Sequence, residues 1–452
     1  MSVANACPPI LVDPPRLLFL DGIRGIAALY VTLHHAALMI PPAGLSGPGV
    51  AVRFFLRHGH GAVAVFIVLS GYCLMLPAAR EPSGHFSTDF GSFLRRRARR
   101  ILPPYFGALV FCWILITLIP DLGHPARSPW DRALPAFSPR VIASHLLLVH
   151  NLSERWIFKI DPPMWSVATE WQIYLLFPAL VGLWRRSGIV TTIAAGFAIG
   201  FAVAALAIPL KNPALRALCP WFVGLFTLGM AAALAAHGQP SSRENGRKRG
   251  GSLAVGLGVL ALLCAGLAVA GTGDRNFMLT DPIVGAAMAC LLVRWTRRSL
   301  PGAAGPRLPL LRLLEGREAG ALGTISYSLY LIHYPLLAMG DAALRRWQFS
   351  PDARLWLLVL VASPAILLAA ALFHRVFERP FHSSLRRPSG VSFAAPRVGP
   401  IRSASRQANR DFSPGTAGAP PAVPGNSIPS GSTLSRLTWP PPRRGHRPVE
   451  GR

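Results

Sequence analysis

Apolar segments of about twenty residues recur along this chain and restrict its fold more than any other feature. A helix needs roughly twenty apolar residues to cross the hydrocarbon core of a bilayer. We count about ten candidate spans, at residues 18–40, 61–78, 101–120, 165–184, 188–209, 214–236, 252–271, 277–296, 322–340 and 354–375. The pattern predicts an all-α polytopic membrane protein, a bundle of about ten transmembrane helices.

Composition and charge agree with a membrane protein. Charged residues make up 14% of the 452 residues, whereas a soluble domain has about 25%. The 46 Lys and Arg against 19 Asp and Glu give a net charge of +27, and they fall between the apolar segments. Cytoplasmic loops collect such residues, so we expect both termini to be cytoplasmic. Because no basic stripe alternates with aromatic residues, we expect no nucleic-acid partner.

The two ends of the chain differ from its middle. Residues 1–16 lack a basic stretch followed by an apolar core, so we expect a cytoplasmic segment and no cleavable signal peptide. Residues 386–452 are basic and rich in Pro, Gly and Ser, which predicts a disordered tail. The cysteines are isolated, so neither a metal site nor a disulfide framework is expected; they are Cys7, Cys73, Cys112, Cys219, Cys264 and Cys290.

Ionisable residues in the first span lie on one helical face. Arg24 and His35 are eleven residues apart, about three turns, and Asp21 lies one turn before Arg24. Ionisable groups inside a membrane indicate function by default. A His, which titrates near neutral pH, suits general base catalysis. The structural alternatives are an Asp21–Arg24 ion pair and a His35 that is hydrogen-bonded between helices.

The fourth span opens with Trp165 and carries a carboxylate, Glu170, with Ser166 and Tyr174 one turn away on the same face. We expect Glu170 to pair with His35 and to stabilise its protonated form, as the acid of a hydrolytic triad does. An interfacial carboxylate facing water is the alternative.

Three further groups have both structural and functional interpretations. Five arginines at 95–100 act either as a stop signal for membrane insertion or as a phosphate clamp. Ser70 and Gly71 are typical of close helix packing, and Ser70 lacks the context of a hydrolase nucleophile. Tyr330 and His333 share a helical face, which an aromatic belt at the membrane interface largely explains.

Six short motifs occur in one order along residues 17–385. They are Leu-Asp-Gly-Ile-Arg-Gly at 20–25 followed by His35, Phe-x-x-x-Ser-Gly-Tyr at 66–72, Arg-x-x-Arg-Ile-x-Pro-x-Tyr at 97–105, Trp-Ser-x-x-x-Glu-x-x-x-Tyr at 165–174, Ser-Tyr-x-x-Tyr-Leu-x-His at 326–333, and Glu378-Arg379-Pro380-Phe381. This order resembles the acyltransferase 3 family of membrane O-acyltransferases. Two positions depart from the family pattern: Trp171 replaces a second acid, and Ile67 replaces an aromatic residue.

The resemblance implies an activity and a location. A ten-helix bundle in the bacterial inner (plasma) membrane, residues 17–385, would transfer an acyl group, commonly acetyl, from cytoplasmic acyl-CoA to a hydroxyl. The acceptor would be a carbohydrate or a glycosylated small molecule. The lipid bilayer is the other partner, and no metal or permanently bound cofactor is expected. A transporter or flippase is the chief alternative, and a scaffold that recruits partners is another.

The resemblance and the polar residues together give a candidate site. The catalytic group comprises His35, Glu170 and Arg24. The group that binds acyl-CoA comprises Arg97, Arg100, Arg96 and Tyr105. The substrate pocket comprises Asp21, Ser70, Gly71, Trp165, Ser166, Tyr174, Tyr330 and His333.

Overall fold

The computed structural model describes residues 17–81, 89–237, 277–300 and 308–383, and within these ranges the chain is helical with no strand. The helices are α1 Leu18–Leu38, α2 Gly47–Leu56, α3 Gly59–Arg80, α4 Phe90–Leu118, α5 Pro120–Gly123, α6 Pro139–Leu146, α7 Trp165–Ala205, α8 Ala214–Ala217, α9 Phe222–His237, α10 Phe277–Ser299, α11 Pro309–Leu314, α12 Arg317–Arg346, α13 Pro351–Leu357, α14 Ser363–Phe373 and α15 Arg379–Ser383. The predicted all-α membrane class is confirmed.

The predicted count of ten spans is not confirmed. Six helical segments of the described residues are long and apolar enough to cross a membrane. The predicted spans 165–184 and 188–209 share the single helix α7, which is broken at Gly188 by a φ of 81°. The spans 18–40 and 322–340 form α1 and α12 but are not among the six. The predicted span 252–271 lies outside the described residues, as do the segment 1–16 and the tail 386–452.

Helices α3 and α9 pack at backbone distance. A Cβ atom on Gly71 would lie 2.0 Å from the carbonyl oxygen of Phe226, and one on Gly229 would lie 2.0 Å from the carbonyl oxygen of Val68. Membrane helices gain van der Waals contact when small residues let their backbones approach this closely. Gly71 therefore packs against the backbone of α9, and its predicted place in the substrate pocket stays a prediction.

The loop 119–164 folds back onto the bundle near the end of α1. Trp130 is fully buried, and its indole nitrogen donates to the carbonyl oxygen of Leu122 over 2.9 Å. The Trp130 ring stacks on Tyr334 of α12, and Tyr334 lies edge-on to His35. The loop thus covers the end of the bundle that contains His35.

The helix α13–α15 is interrupted by two π-helical segments, Leu358–Ala362 and His374–Glu378. Glu378 is buried, accepts a 2.6 Å hydrogen bond from Ser328 of α12, and lies 2.9 Å from Nδ1 of His374. These contacts fasten the end of the last helix to α12, and they account for the buried carboxylate of the Glu378–Phe381 motif.

Candidate active site

A cleft lies between α1, α3, α4, α7 and α12. Helix α3 contributes one face, with residues spaced three and four apart as on a single helical stripe. The lining residues are Arg24, Val63, Phe66, Ile67, Ser70, Cys73, Leu74, Arg97, Arg100, Ile101, Ser166, Val167, Glu170, Tyr174, Ser326, Tyr327 and Tyr330. The cleft therefore has an apolar wall on α3 facing polar groups from the other helices.

Two of the three predicted phosphate-binding arginines face the cleft. Arg97 and Arg100 are one turn apart on α4 and both line it. The Nε atom of Arg97 is buried and makes no hydrogen bond to any of the described residues. Arg96 is exposed and lies outside the lining. Helix α4 thus presents two guanidinium groups to the cleft, and these suit a phosphate-bearing ligand.

Arg24 lines the cleft and contacts two neighbouring side chains. One guanidinium nitrogen lies 3.1 Å from Sγ of Cys73 on α3, and the other lies 3.5 Å from a carboxylate oxygen of Asp21. The Asp21–Arg24 ion pair, the structural alternative for these two residues, is therefore present. Asp21 itself does not belong to the lining, so it acts on the cleft through Arg24.

Glu170 lines the cleft and accepts two hydroxyl hydrogen bonds. One comes from Ser70 of α3, and the other comes from Tyr174 over 2.5 Å. Ser166 lies nearby, with its hydroxyl 2.6 Å from that of Tyr330 on α12. These contacts join α3, α7 and α12 around the cleft.

His35 is paired with His333, which lies on α12 one turn beyond the cleft residue Tyr330. Nδ1 of His35 lies 2.8 Å from Nε2 of His333, and Nδ1 of His333 lies 2.8 Å from the carbonyl oxygen of Tyr330. A carbonyl oxygen only accepts, so the network assigns the His333 proton to Nδ1. Nε2 of His333 must then accept from Nδ1–H of His35. This leaves Nε2 as the unprotonated nitrogen of a neutral His35.

The predicted His35–Glu170 pair is not formed. The hydrogen bonds of Glu170 go to Ser70 and Tyr174, and that of His35 goes to His333. The reason is the position of α12, which inserts Tyr330 and His333 beside the end of α1. Among the described residues, His333 is the hydrogen-bond partner of His35, whereas the sequence predicts Glu170 for that role.

Two other predicted site residues have structural roles. Tyr105 is fully buried, and its hydroxyl donates to the carbonyl oxygen of His145 over 3.0 Å, so it faces the loop 119–164 and not the donor end of the cleft. Trp165 is outside the lining and packs near the rings of His60 and Phe222. Both side chains pack against neighbouring elements. Acyl-CoA binding by Tyr105 and the place of Trp165 in the substrate pocket stay predictions.

Sequence reasoning missed several residues of the site. Cys73, Ser326 and Tyr327 line the cleft. The helical spacing of Cys73 after Ser70, and its place directly after the motif at 66–72, could have indicated it. For Tyr327, whose hydroxyl donates to the carbonyl oxygen of Ile101 on α4, no local signal exists, since the contact spans 226 residues.

The loop 119–164 also contains an unpartnered carboxylate. Asp161 is fully buried, and neither of its oxygens has a hydrogen-bond partner among the described residues. Burial raises the pKa of Asp161 well above its usual range. No pattern in the sequence distinguishes Asp161 from an ordinary loop acid.

The model of a family described as an acyltransferase domain matches residues 17–375. The chain belongs to the acyltransferase 3 family. It is an integral membrane protein and an O-acyltransferase.

Curated relatives share only about a quarter of their residues with this chain. Acyltransferase MdmB of Streptomyces mycarofaciens is 27% identical over 411 residues, 84% of this chain and 96% of that protein. Peptidoglycan O-acetyltransferase OatA of Listeria monocytogenes is 23% identical over 383 residues, 81% of this chain and 56% of that protein. The chain therefore spans nearly all of MdmB and about half of OatA. No solved structure matches it.

Proposed function

We propose that the chain transfers an acetyl group from acetyl-CoA to a hydroxyl of a carbohydrate or a glycosylated small molecule. One observation carries the proposal: the hydrogen bond from His35 to His333 leaves Nε2 of His35 free to accept a proton. This nitrogen is the base that removal of a hydroxyl proton requires. The O-acetyltransferase activity named for OatA agrees with a hydroxyl acceptor.

The two arginines that α4 presents to the cleft suit binding of the acetyl donor. We expect Arg97 and Arg100 to hold phosphate groups of acetyl-CoA, since guanidinium groups bind phosphate oxygens in pairs. Arg24 lies eleven residues before His35 on α1, about 16 Å along the helix axis. That distance excludes Arg24 from the carbonyl that reacts beside His35. We therefore expect Arg24 to contact the extended arm that joins the phosphates of acetyl-CoA to its thioester.

The His pair supplies the proton transfers. Nε2 of His35 takes the proton of the acceptor hydroxyl, whose oxygen attacks the thioester carbon, and the tetrahedral intermediate expels CoA thiolate as the C–S bond breaks. The imidazolium that forms is stabilised because its Nδ1–H still donates to His333. His333 is thus a positioning residue, and its own ring is fixed by the carbonyl of Tyr330.

Glu170 has a different role from the one that the sequence predicts. Its carboxylate holds the hydroxyls of Ser70 and Tyr174, so it shapes the middle of the cleft. A carboxylate there also offsets the positive charge of Arg24 and Arg97. We assign Glu170 to positioning of the cleft wall, between the donor phosphates and the histidine pair.

The acceptor is proposed from chemistry and from the relatives together. OatA is named for peptidoglycan, a carbohydrate polymer, but this chain spans only 56% of it. MdmB, which the chain spans almost completely, is named only as an acyltransferase. We propose both termini in the cytoplasm of a bacterium, so that acetyl-CoA enters at the arginine end and the acceptor enters at the His35 end, which faces away from the cytoplasm.

The test is release of CoA thiol by the full-length protein in proteoliposomes. Acetyl-CoA is supplied on the arginine side, with a muropeptide or a glycosylated small molecule on the other. We expect thiol release that depends on the acceptor, yields an acceptor heavier by one acetyl group, and falls by about 10³-fold in His35→Ala. Movement of acceptor across the membrane without thiol release would instead identify a transporter.

A further inference from the structure

A second cluster of ionisable side chains lies outside the cleft, at the end of the bundle that contains His35. His60 is in the first turn of α3, Cys219 lies three residues before α9, and Asp281 is in the second turn of α10. Nε2 of His60 is 3.0 Å from an oxygen of Asp281 and 3.8 Å from Sγ of Cys219. All three ligand atoms lie within 4.8 Å of one another.

The three ligand atoms of His60, Cys219 and Asp281 are of types that bind a metal ion. Imidazole, thiolate and carboxylate are the groups that Zn²⁺ binds at about 2.0–2.3 Å, so its tetrahedral ligands lie roughly 3.3–3.8 Å apart. The two measured distances to His60 are 3.0 and 3.8 Å, so small side-chain rotations would admit the ion. Three protein ligands leave a fourth position for water, as in open zinc sites.

Charge and burial favour occupancy by a divalent cation. Cys219 and Asp281 are 3% and 1% exposed. Two anionic ligands and one neutral imidazole balance Zn²⁺, so the filled site carries no net charge. Binding releases the proton of the Cys219 thiol to solvent, because only the thiolate coordinates.

Surrounding side chains already orient the ligands. The indole nitrogen of Trp221 donates to Asp281 over 2.8 Å, and the ring of Phe277 stacks on His60 with centroids 3.8 Å apart. Such outer contacts fix ligand orientation in metal sites. Cys219 has a left-handed φ of 52°, which is costly for a residue with a side chain.

We propose that His60, Cys219 and Asp281 form a binding site for Zn²⁺ or a similar divalent transition metal. The ion would tie α3, the segment before α9 and α10 together next to Trp165. The three residues are up to 221 positions apart in the sequence, which is why isolated cysteines gave no indication of a metal site.

Metal content of the full-length protein tests the proposal. The protein is purified in detergent with an affinity tag that contains no histidine, incubated with Zn²⁺, desalted and measured by mass spectrometry of the metal. We expect about one zinc per chain in the wild type and at least a tenfold loss in Cys219→Ser and Asp281→Asn. Cys290→Ser, on the same α10 but outside the cluster, is the matched control and should keep its zinc.

Spectroscopy of bound Co²⁺ tests whether Cys219 is a ligand, and it does not depend on the folding of the cluster variants. Bound Co²⁺ should show a thiolate-to-metal charge-transfer band in the wild type. The band should persist in a variant that keeps Cys219 and replaces the other five of the six cysteines with serine. Wild-type protein without stoichiometric zinc, equal zinc in wild type and folded Cys219→Ser, or loss of the band when only Cys219 remains would each overturn the proposal.

Discussion

Nδ1 of His35 donates to Nε2 of His333 over 2.8 Å, and the direction of this hydrogen bond is set by the main chain of α12. His333 must hold its own proton on Nδ1 to reach the carbonyl oxygen of Tyr330. The backbone of α12 thereby determines which nitrogen of His35 is basic. In a hydrolytic triad a carboxylate performs this task, whereas here a second, neutral imidazole does.

Replacement of the His pair should affect turnover more than substrate binding. We expect His35→Ala to lower kcat by about 10³-fold, which is within the usual contribution of a general base. His333→Leu should lower kcat by roughly 10²-fold with little change in KM. His333→Gln should recover part of that loss, since its amide oxygen can accept from His35. Equal kcat in His333→Leu and wild type, by steady-state assay, would refute the positioning role.

Loss of the cleft arginines should weaken donor binding. A hydrogen bond to a charged group contributes about 1.5–3 kcal/mol, so Arg97→Gln and Arg100→Gln should each raise the KM for acetyl-CoA about tenfold or more. Arg96→Gln, one residue away and exposed, is the control and should leave that KM unchanged. An effect confined to the KM of the acceptor would contradict the assignment.

The α3–α9 contact predicts a specific steric effect. Gly71→Ala would force a methyl group against the carbonyl of Phe226, and overpacking of this kind costs about 1–3 kcal/mol. Gly61→Ala on the same helix, where a Cβ atom meets nothing within 4 Å, should leave stability equal or slightly higher. Thermal unfolding in detergent compares the two; similar Tm values would exclude the close approach.

The buried Asp161 predicts a pH-dependent stability. Its pKa is raised by burial, so the folded protein keeps a proton that the unfolded chain releases above about pH 4. Stability should therefore fall as pH rises from there towards the raised pKa. Asp161→Asn removes this loss, so its advantage in Tm over wild type should be small at pH 4 and grow with pH. Asp121→Asn, an exposed acid in the same loop region, should show no such trend.

The helical class and the polar face of α1 could be predicted because both are local patterns. Apolar segment length gave the membrane class, and helical spacing put Ser166, Glu170 and Tyr174 on one face. The partner of His35 could not be predicted, since it depends on how α12 packs against α1 across 298 residues. The hydrogen bond from Tyr105 to the carbonyl oxygen of His145 could not be predicted for the same reason, since helical periodicity does not determine where the loop 119–164 packs.

The close backbone approach of α3 and α9 at Gly71 and Gly229 also limits how the cleft can change. Two carbonyl oxygens occupy the space in which side chains would otherwise lie, so α3 and α9 have no freedom to slide or separate without losing contact. The wall of the cleft that α3 forms therefore keeps its position. Adaptation of this scaffold to a larger or smaller substrate must come from side chains on α4, α7 and α12, where substitution does not require two backbones to move apart.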